Sequence, residues 1–417
     1  MKERVLISGG FLFFVLLVPF FAWGQWAPST YRKAKVLFAG QHVVNFRASL
    51  AEASRRRSST GQVEALGSHL EERLTWAEIL SDSSPDTLEI KDYLQEQGVD
   101  LEQEAASTEM RVHQKVYAFS PRAAYGLTDR WTLGFELPIV YRKTQVETKI
   151  HASEFRTDPG SQNSQAVKAA WTRESLGEKA KEALDRKIES ANFRNPSGNA
   201  EDWQVGDISL WNKYEMYHSA DSIFSLRQRL VLPTSAGPNP YEFIDSEAGD
   251  GQVDFGFDGL VDHWITKGLW ATLSLGYTWQ TPDRVRMRIP EVQSTPLASD
   301  LDYEVRRDLG DYWLSELILD YQISQSWKIS PSYSYFMKTK DRYSGRSYSL
   351  ERYQALSEGT EQKRQVLVLA AAYSGFDQSE RFGVQKQVLT TFFISSLVSG
   401  ANVTDSTMAG INVEWLF

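Results

Sequence analysis

The chain has 417 residues, a formal net charge of −9 and no cysteine, and 12% of its residues are aromatic. The lack of cysteine excludes disulfides, thiolate metal sites and a lipid anchor on a cysteine. The acidic balance argues against a nucleic-acid partner, which would require clustered positive charge.

The first 24 residues have the three parts of a secretory signal peptide. Lys2 and Arg4 precede the apolar run FLFFVLLVPFFA, and the small residues Ala22 and Gly24 follow at positions that a signal peptidase reads. The apolar run is shorter than the ~20 residues with which a helix crosses a bilayer. We therefore expect a signal peptide over 1–24 rather than an uncleaved anchor, and a mature chain of 25–417.

The stretch WTLGFELPIVY, residues 131–141, is typical of a transmembrane β-strand. Its odd positions are all apolar, its even positions are mostly small or polar, and it begins with Trp131 and ends with Tyr141. A membrane barrel needs strands of ~9–11 residues with this alternation and aromatic ends. ATLSLGYTW, residues 271–279, repeats the pattern. The repetition favours a membrane barrel over a half-buried strand of a soluble sandwich.

The same rule predicts twelve strands. They lie near 36–50, 109–126, 131–147, 203–217, 223–235, 251–265, 269–284, 308–324, 327–341, 360–375, 384–399 and 404–417. Short and long connections alternate between them. Bacterial barrels have an even strand number, short periplasmic turns and long extracellular loops. We therefore expect both chain ends on the periplasmic side.

The last residues, GINVEWLF, carry the alternation to the end of the chain. Phe417, Trp415, Val413, Ile411 and Ala409 share one face of a strand. We expect this face to contact outer-membrane lipid. An alternating strand that ends in Phe417 also resembles the C-terminal signal through which the barrel assembly machinery recognises its clients.

Two connections, 51–108 and 148–202, are long and partly helical, and we expect both on the extracellular side. The first has Ser84, Pro85 and Gly98 as N-cap, first turn and C-terminal stop of a helix. Ahead of that helix, Val63, Leu66, Leu70 and Leu74 fall at helical spacing. In the second insert, Val167, Trp171, Ala180, Leu184 and Ile188 form a broken apolar stripe. These inserts could cap the barrel, plug its lumen or hold a partner.

Extending the alternation through each strand predicts a set of charged side chains that point into the barrel, since a charge turned toward lipid costs ~2–4 kcal/mol at mid-depth. The pore-lining candidates are Arg122, Glu136, Asp207, Lys213, Arg227, Arg229, Asp254, Asp258, Glu316, Asp320 and Lys328. Opposite charges are expected to pair between neighbouring strands, Arg227 and Arg229 with Asp254 and Asp258, and Lys328 with Glu316 and Asp320. The set is either a paired polar core or the wall of a solute pathway.

Catalysis is a remote alternative. His151 and Ser153 have the His-x-Ser spacing of outer-membrane phospholipase and lipid A deacylase, where a base activates a nucleophile. Asp262 and His263 are similar to the Asp-His pair of outer-membrane proteases, but they fall at a periplasmic strand end. The sequence contains no phosphate-binding glycine loop, nucleotide fingerprint or metal cluster, and we expect no cofactor, no metal and no catalytic residues.

Several phrases carry a resemblance to a known family. YGLTDRWTLGFELPIVYRKT, VGDISLWNKYEM, LRQRLVLPTSAG and DFGFDGL follow one another within residues 110–280. They resemble the outer-membrane barrel family of transporters of the phenol meta-cleavage pathway and related barrels of unknown function. Leu137-Pro138-Ile139, Gly206-Asp207 and Leu232-Pro233-Thr234 occupy the motif positions, whereas Ser235 replaces the usual glycine. The resemblance implies uptake of a small aromatic or hydrophobic molecule.

The sequence as a whole predicts an all-β, antiparallel up-and-down transmembrane barrel of about twelve strands, monomeric, in the cell outer membrane. We expect a channel or transporter for small aromatic or hydrophobic solutes, and no enzyme. The alternatives are a closed structural or surface-interaction barrel whose helical inserts bind a partner and, remotely, a lipid hydrolase at the rim.

Overall fold

The protein is described by a computed structural model. It covers residues 30–82, 84–96, 98–152, 173–190, 193, 199–242, 244, 248–290, 300–377 and 386–417. The predicted signal peptide lies outside these residues, as do Ser153, Val167 and Trp171.

The chain folds as a closed antiparallel β-barrel of twelve strands, which confirms the predicted fold class and strand number. The strands are β1 His42–Arg57, β2 Glu104–Thr128, β3 Trp131–Glu136 and Ile139–Ala152, β4 Ala200–Val205 and Ile208–His218, β5 Ser222–Leu232, β6 Asp254–Thr266, β7 Leu269–Gln280, β8 Tyr312–Gln322, β9 Trp327–Lys338, β10 Gln362–Asp377, β11 Lys386–Ala401 and β12 Val403–Leu416. Each pairs with the strands before and after it, and β12 pairs with β1.

Side chains alternate between the two faces of the wall in the sense predicted. On β7, Leu273 and Leu275 are 42% and 56% exposed, whereas Thr272 and Ser274 are buried. This is the reverse of a soluble protein, where the apolar face of a strand is covered. The exterior of the barrel is therefore apolar, and its interior is polar.

The terminal alternation is explained by closure of the barrel. Val413 and Trp415 of β12 lie opposite Phe46 and Val44 of β1. The ladder continues to the last residue, because the backbone N–H of Phe417 donates to the carbonyl of His42 at 2.9 Å. On the other face of β12, Asn412 and Glu414 are buried in the interior.

Two adjacent strands, β3 and β4, are interrupted at the same level, where the sequence predicts continuous strands. Pro138 breaks β3 because it has no N–H for the ladder. Across from it, Gly206 breaks β4 and donates its N–H to the carbonyl of Pro138 at 2.8 Å. A Cβ on Gly206 would lie 2.7 Å from the Pro138 ring, so the close approach requires glycine.

The two kinds of connection lie at opposite ends of the barrel. The start of β1, the end of β12 and the turns 129–130, 219–221, 267–268 and 323–326 lie at one end, and the longer loops lie at the other, together with the short turn at Asn402. The tight turn after β6 uses Gly268 at φ +85°. The prediction for the first strand was wrong at its start, because β1 begins at His42 rather than near residue 36. Residues 30–41 instead run inside the barrel.

The two inserts share one hydrophobic core above the end with the long loops. Helices α1 Trp76–Ile79 and α2 Pro85–Glu96 come from the first insert, and α3 Arg173–Ser190 comes from the second. The helix predicted after Ser84 is confirmed, and Gly98 follows it at φ +72°. No helix in the described part of the chain is both long and apolar enough to cross a membrane.

The buried side chains of this core come from both inserts and from the extensions of β2 beyond the barrel. They are Leu66, Leu70, Leu74, Trp76, Ile79, Leu80, Ile90, Leu94, Ala105, Ala106, Met110, Val112, Leu176, Ala180, Ala183, Leu184, Ile188, Phe193 and Ile244. The apolar stripe predicted on α3 thus packs on the first insert and on strand extensions.

The helix expected over residues 63–74 does not form. Val63–Ala65 and Arg73–Thr75 are short strands that pair with β1 and β2, separated by a single 3₁₀ turn. A Cβ at Gly67 would lie 2.3 Å from the carbonyl oxygen of Met110, so the backbone packs directly against β2. β1 and β2 extend beyond the barrel, and the backbone groups at their edges need hydrogen-bond partners. Residues 63–65 and 73–75 supply these partners as strands, although the spacing of their apolar residues favours a helix.

A second group of loops builds a three-stranded antiparallel sheet beside the mouth, which we call the loop sheet. Its strands are Asp283–Ile289, Asp300–Asp308 and Arg342–Ser344. Helix α4, Leu350–Ala355, packs on it. Their common core contains Met287, Ile289, Val305, Leu309, Tyr343, Tyr353 and Leu356. The loop sheet directly continues the wall of β7 and β8.

Leu94→Ala on α2 tests whether the insert core is an independent unit of stability. Leu94 is fully buried, so the truncation should cost about 2–5 kcal/mol locally. We expect hydrogen exchange in residues 76–96 to accelerate at least about thirtyfold, with the barrel unchanged. The control is Leu88→Ala on the same helix, since Leu88 is 48% exposed. Equal protection in both variants would contradict the shared core.

The link between Asp82 and α3 should make the inserts sensitive to acid. Hydrogen bonds from Thr87 and Lys179 hold the pKa of Asp82 well below its ordinary value. A lowered pKa contributes stability above about pH 4, the ordinary value of a carboxyl, and this stability is lost as the pH falls below it. Protection of the inserts measured by hydrogen exchange should decline from pH 5 to pH 3. Asp82→Asn should flatten that decline; an unchanged slope would exclude the link.

Candidate functional site

Residues 30–41 cross the interior of the barrel near the end with the short turns, and we call them the plug segment. Backbone groups of the segment bond to the wall on several strands. The N–H of Ala34 donates to Asp262 of β6 at 2.9 Å, and the N–H of Leu37 donates to Thr132 of β3 at 2.8 Å. The segment therefore spans the lumen from β6 to β3.

Two basic side chains of the plug segment form ion pairs with β8. Arg32 pairs with Glu316, and Lys33 pairs with Asp320. Asp320 also receives Lys328 of β9 at 3.3 Å. Both carboxylates are nearly inaccessible to solvent, so their charges depend on these cations for compensation.

Lys213 of β4 is fixed by the backbone of the plug segment. Its ammonium donates to the carbonyl oxygens of Lys33 at 2.7 Å and Lys35 at 2.8 Å. The Ser225 hydroxyl of β5 donates to the carbonyl of Ala34 between them. An extended segment inside a barrel has no strand beside it, so side chains of the wall supply the donors that its carbonyls need.

The ring of Tyr31 is held between two arginines. The guanidinium of Arg227 lies 4.0 Å from the ring centroid, that of Arg122 lies 5.2 Å away, and Trp211 packs edge-on at 5.1 Å. Arg227 also donates to the Tyr31 carbonyl at 2.9 Å. Cation–π contacts in a desolvated place are worth about 2 kcal/mol or more. Tyr31 is thus the main apolar anchor of the segment.

The segment packs closely against the wall on the side of β1, β2 and β12. A cavity of about 20 Å³ lies between Tyr31, Lys35 and Leu37 of the segment and the wall near Asn45 and Glu414. That volume holds about one water molecule. No larger solute fits between the segment and this part of the wall.

The predicted inward residues are buried except Glu136 and Lys328, which are partly exposed, and several meet as expected. Arg227 binds Asp258 at 2.9 Å, and Arg122 binds Glu136 at 2.6 Å. Other pairings differ from the prediction. Arg229 donates to Thr278 and to Tyr312 rather than to Asp254, which lies opposite Gln280. Lys328 meets Asp320 at 3.3 Å as expected, whereas Glu316 meets Arg32. The expected contact between Glu316 and Lys328 is wrong, because the plug segment supplies a nearer cation. A pore-lining role for the set remains a prediction.

Asp207 lies away from the plug segment, at the interruption of β4. Its carboxylate accepts from the N–H of Ser235 at 2.7 Å and of Gly251 at 3.3 Å. Thr234 donates to the carbonyl of Gly206 at 3.0 Å. The three motifs that carry the family resemblance, around Pro138, Gly206 and Thr234, thus come together in one place. Their hydrogen bonds connect the interrupted strands β3 and β4 to the loop between β5 and β6.

The interior wall is asymmetric. Beside the charged strands β4–β9, the strands β10–β12 and the end of β1 present apolar side chains to the interior, namely Ala51, Val366, Val368, Ala370, Phe393, Leu397, Val403 and Met408. We call this the apolar wall. Arg47 of β1 borders it, with its guanidinium 4.8 Å from the ring of Phe393. The lumen thus offers an apolar surface next to a charged one.

Sequence reasoning missed the plug segment. The sequence feature that could have revealed the segment is the basic run YRKAK, residues 31–35. It lies shortly after the predicted cleavage site in an otherwise acidic chain. Arg32 and Lys33 match carboxylates that are separated from them by almost three hundred positions. Such a match is visible only once β8 is placed in the barrel.

The catalytic alternatives gain no geometric support. Asp262 points into the lumen toward the plug segment, whereas His263 is exposed on the outside and lies 2.8 Å from Ser222, so the two do not form a pair. His151 is 55% exposed and lies 3.1 Å from Glu109. Its predicted partner Ser153 is outside the described residues. Within the described ranges, no three His, Asp or Glu side chains are grouped to hold a metal.

Comparison with solved structures supports the fold. An outer-membrane channel from Pseudomonas putida F1 superimposes with a TM-score of 0.52 at 10% identity, over 94% of this chain and 99% of the other. The chain shares the fold of that barrel. The CymD monoaromatic hydrocarbon channel has a TM-score of 0.34 at 10% identity, over 91% and 88% of the two chains. The Pseudomonas putida toluene transporter TodX has 0.32 at 10%, over 94% and 91%. Neither a protein-family model nor a curated protein matches the chain.

Tyr31→Ala tests the seating of the plug segment. Loss of the ring removes contacts with Arg227, Arg122 and Trp211, which should weaken the segment by about 2 kcal/mol or more. We expect larger and more frequent ionic currents in planar bilayers than with the unaltered protein. Tyr31→Phe keeps the ring and should conduct like the unaltered protein. Equal currents from all three would show that the anchor does not control the passage.

Proposed function

We propose that the protein is an outer-membrane channel for small apolar solutes, including aromatic ones. Four features support the membrane placement: the even number of strands, the apolar exterior, the aromatic strand ends, and the long loops gathered at one end. The described residues contain no arrangement that suggests catalysis, and we propose no enzymatic activity.

The plug segment is the observation that carries the proposal. A barrel with a purely structural role can fill its lumen with its own inward side chains. Here a chain segment that is not part of the barrel wall lies across the lumen, held by polar contacts that can be exchanged for water. Arg32 and Lys33 bind it to β8, and Tyr31 binds it to β5 and β2. Its displacement would leave a passage between charged strands and the apolar wall.

The apolar wall supports the class of solute. An apolar molecule in transit gains from contact with surfaces such as Val368 and Phe393, whereas a polar solute would require hydrogen bonds that this wall does not supply. The motif resemblance around Pro138 and Asp207 points the same way, toward transporters of the phenol meta-cleavage pathway. We infer that small aromatic hydrocarbons and their hydroxylated relatives are candidate solutes.

Uptake by intact cells tests the proposal. Gram-negative cells that display the protein should take up radiolabelled naphthalene several-fold faster than cells with an empty vector. Val368→Asp places a charge on the apolar wall and should reduce the rate to the vector level. Val368→Leu preserves the apolar surface and should stay within about twofold of the unaltered protein. Surface amount and heat-dependent gel mobility establish that each barrel is folded.

A folded barrel that gives no uptake above the vector would contradict the channel. The closed-barrel alternative would then be favoured, in which the inserts hold a partner above the mouth. Deletion of residues 55–104 tests whether the first insert controls the passage of ions. The ionic conductance should stay close to that of the intact protein, because the plug segment, and not the first insert, makes the contacts with Asp262 and Thr132 in the lumen.

A further inference from the structure

The outward face of the loop sheet is strongly basic. Arg284 and Arg306 lie directly opposite each other on neighbouring strands, and both are exposed, Arg284 to 71%. Their neighbours along the strands face the other way. Arg307 turns toward the barrel axis, where it pairs with Asp283 at 2.6 Å and donates to the carbonyl of Asp250 at 2.7 Å. By strand alternation, Arg284 and Arg306 face away from the axis.

This arrangement is unfavourable without an anion. Directly opposed side chains on adjacent strands have Cβ atoms about 4.5–5.5 Å apart, and like charges there destabilise a sheet. Arg284 is 3.4 Å from Glu304, which is itself 78% exposed and therefore screened. Arg306 has no ion-pair partner among the described residues. The two opposed arginines thus have one exposed carboxylate between them, which leaves a net positive charge on this face.

A second pair of opposed cations shows how the same barrel neutralises such contacts elsewhere. Lys115 of β2 lies opposite Lys143 of β3, also on the exposed face. Each has its own carboxylate: Lys115 binds Glu52 at 2.9 Å, and Lys143 binds Glu201 at 3.4 Å. The contrast singles out the loop sheet as a place where positive charge is left over.

Three more cations extend the basic face. Arg286 lies with its guanidinium 4.4 Å from the ring of Tyr303, and it donates to the Tyr241 hydroxyl at 3.2 Å. Lys340, just before the third strand, and Arg342, its first residue, are exposed, whereas the intervening Asp341 is buried; Arg342 lies opposite Asp308. Tyr303 and Tyr241 hold the Arg286 guanidinium in place, and its remaining N–H groups can bond in the plane of the guanidinium. The result is a basic surface on a chain whose net charge is −9.

The height of this surface on the barrel indicates its partner. Trp279 of β7 and Trp313 of β8 are 48% and 53% exposed on the outer wall directly below the loop sheet. Exposed aromatic residues mark the interface between hydrocarbon and headgroups. Arg284 follows Trp279 by five residues, which is at most about 17 Å along a strand. The basic face therefore lies at the level of the headgroups.

We propose that Arg284, Arg306 and Arg286 bind the phosphates of the phosphorylated glycolipid that forms the outer leaflet. Guanidinium groups bind phosphate through paired N–H···O bonds, and a phosphate between Arg284 and Arg306 would relieve their repulsion. The proposal rests on the outer-membrane placement but not on transport. It assigns the loop sheet a role in anchoring the extracellular loops to the surrounding lipid.

The test is direct binding by the purified full-length protein in detergent. The probe is fluorescent diphosphoryl lipid A, and the comparison lipid is lipid A from which both phosphates have been removed. We expect Arg284→Gln/Arg306→Gln to weaken binding of the diphosphoryl probe at least tenfold. The control Lys115→Gln/Lys143→Gln should stay within twofold, because those lysines already have carboxylate partners. Arg284→Lys/Arg306→Lys should fall between, since it keeps charge but loses the paired bonds.

Three results would overturn the proposal. The first is undiminished binding by the folded Arg284→Gln/Arg306→Gln variant. The second is equal affinity for the dephosphorylated lipid, which would show binding through acyl chains alone. The third is full displacement of the probe by millimolar inorganic phosphate, which would show a site for free anions. If the double variant does not fold by heat-dependent gel mobility, Arg306→Gln alone gives the same comparison. Because no transport is measured, the outcome is independent of the channel proposal.

Discussion

The structure depends on one constraint, the two-residue period of side chains along paired strands. Because of this period, the two faces of each strand lie in different environments. One face is apolar and contacts hydrocarbon, and the other is mostly polar and lines a narrow interior. Charged residues have only the interior available to them, so they accumulate there and must be compensated. Arg227 with Asp258 and Arg122 with Glu136 are such compensations within the wall.

Compensation within the wall is incomplete, and the plug segment supplies the remainder. Glu316 and Asp320 on β8 are matched by Arg32 and Lys33, which belong to no strand. The segment is therefore both an obstruction and a set of counter-charges. In the proposed channel, the interactions that stabilise the interior also hold the segment across the lumen, and passage requires water or a solute to replace them.

Much of the fold was predictable because the barrel is repetitive. A period of two, repeated twelve times with aromatic ends, gives strand number, strand direction and the inward or outward direction of residues such as Asp258 and Lys213. The interruption at Pro138 was not predicted, although the residue itself cannot pair in a ladder. Its partner Gly206 requires knowledge of which strands are neighbours.

The remainder of the site could not be read from local pattern, for physical reasons. The contacts of Arg32, Lys33 and Tyr31 are made by a segment without periodicity, across sequence separations set by barrel closure. The failed helix over 63–74 has a related cause. Leu66 and Leu74 are buried as the spacing suggests, but exposed strand edges nearby outcompete the helix for the backbone. In both cases, contacts with residues far away in the sequence determine the conformation of a short segment.

The seam between β1 and β12 has a consequence for assembly. The plug segment leads directly into His42, whose carbonyl accepts the N–H of Phe417. Its partners Asp262, Glu316 and Asp320 lie on β6 and β8, in the middle part of the chain. The segment therefore joins the seam to strands on other parts of the cylinder, and its full set of contacts exists only when the barrel is closed. An open sheet of the same strands would leave Glu316 without Arg32, so the segment adds its ion pairs to the free energy of closure.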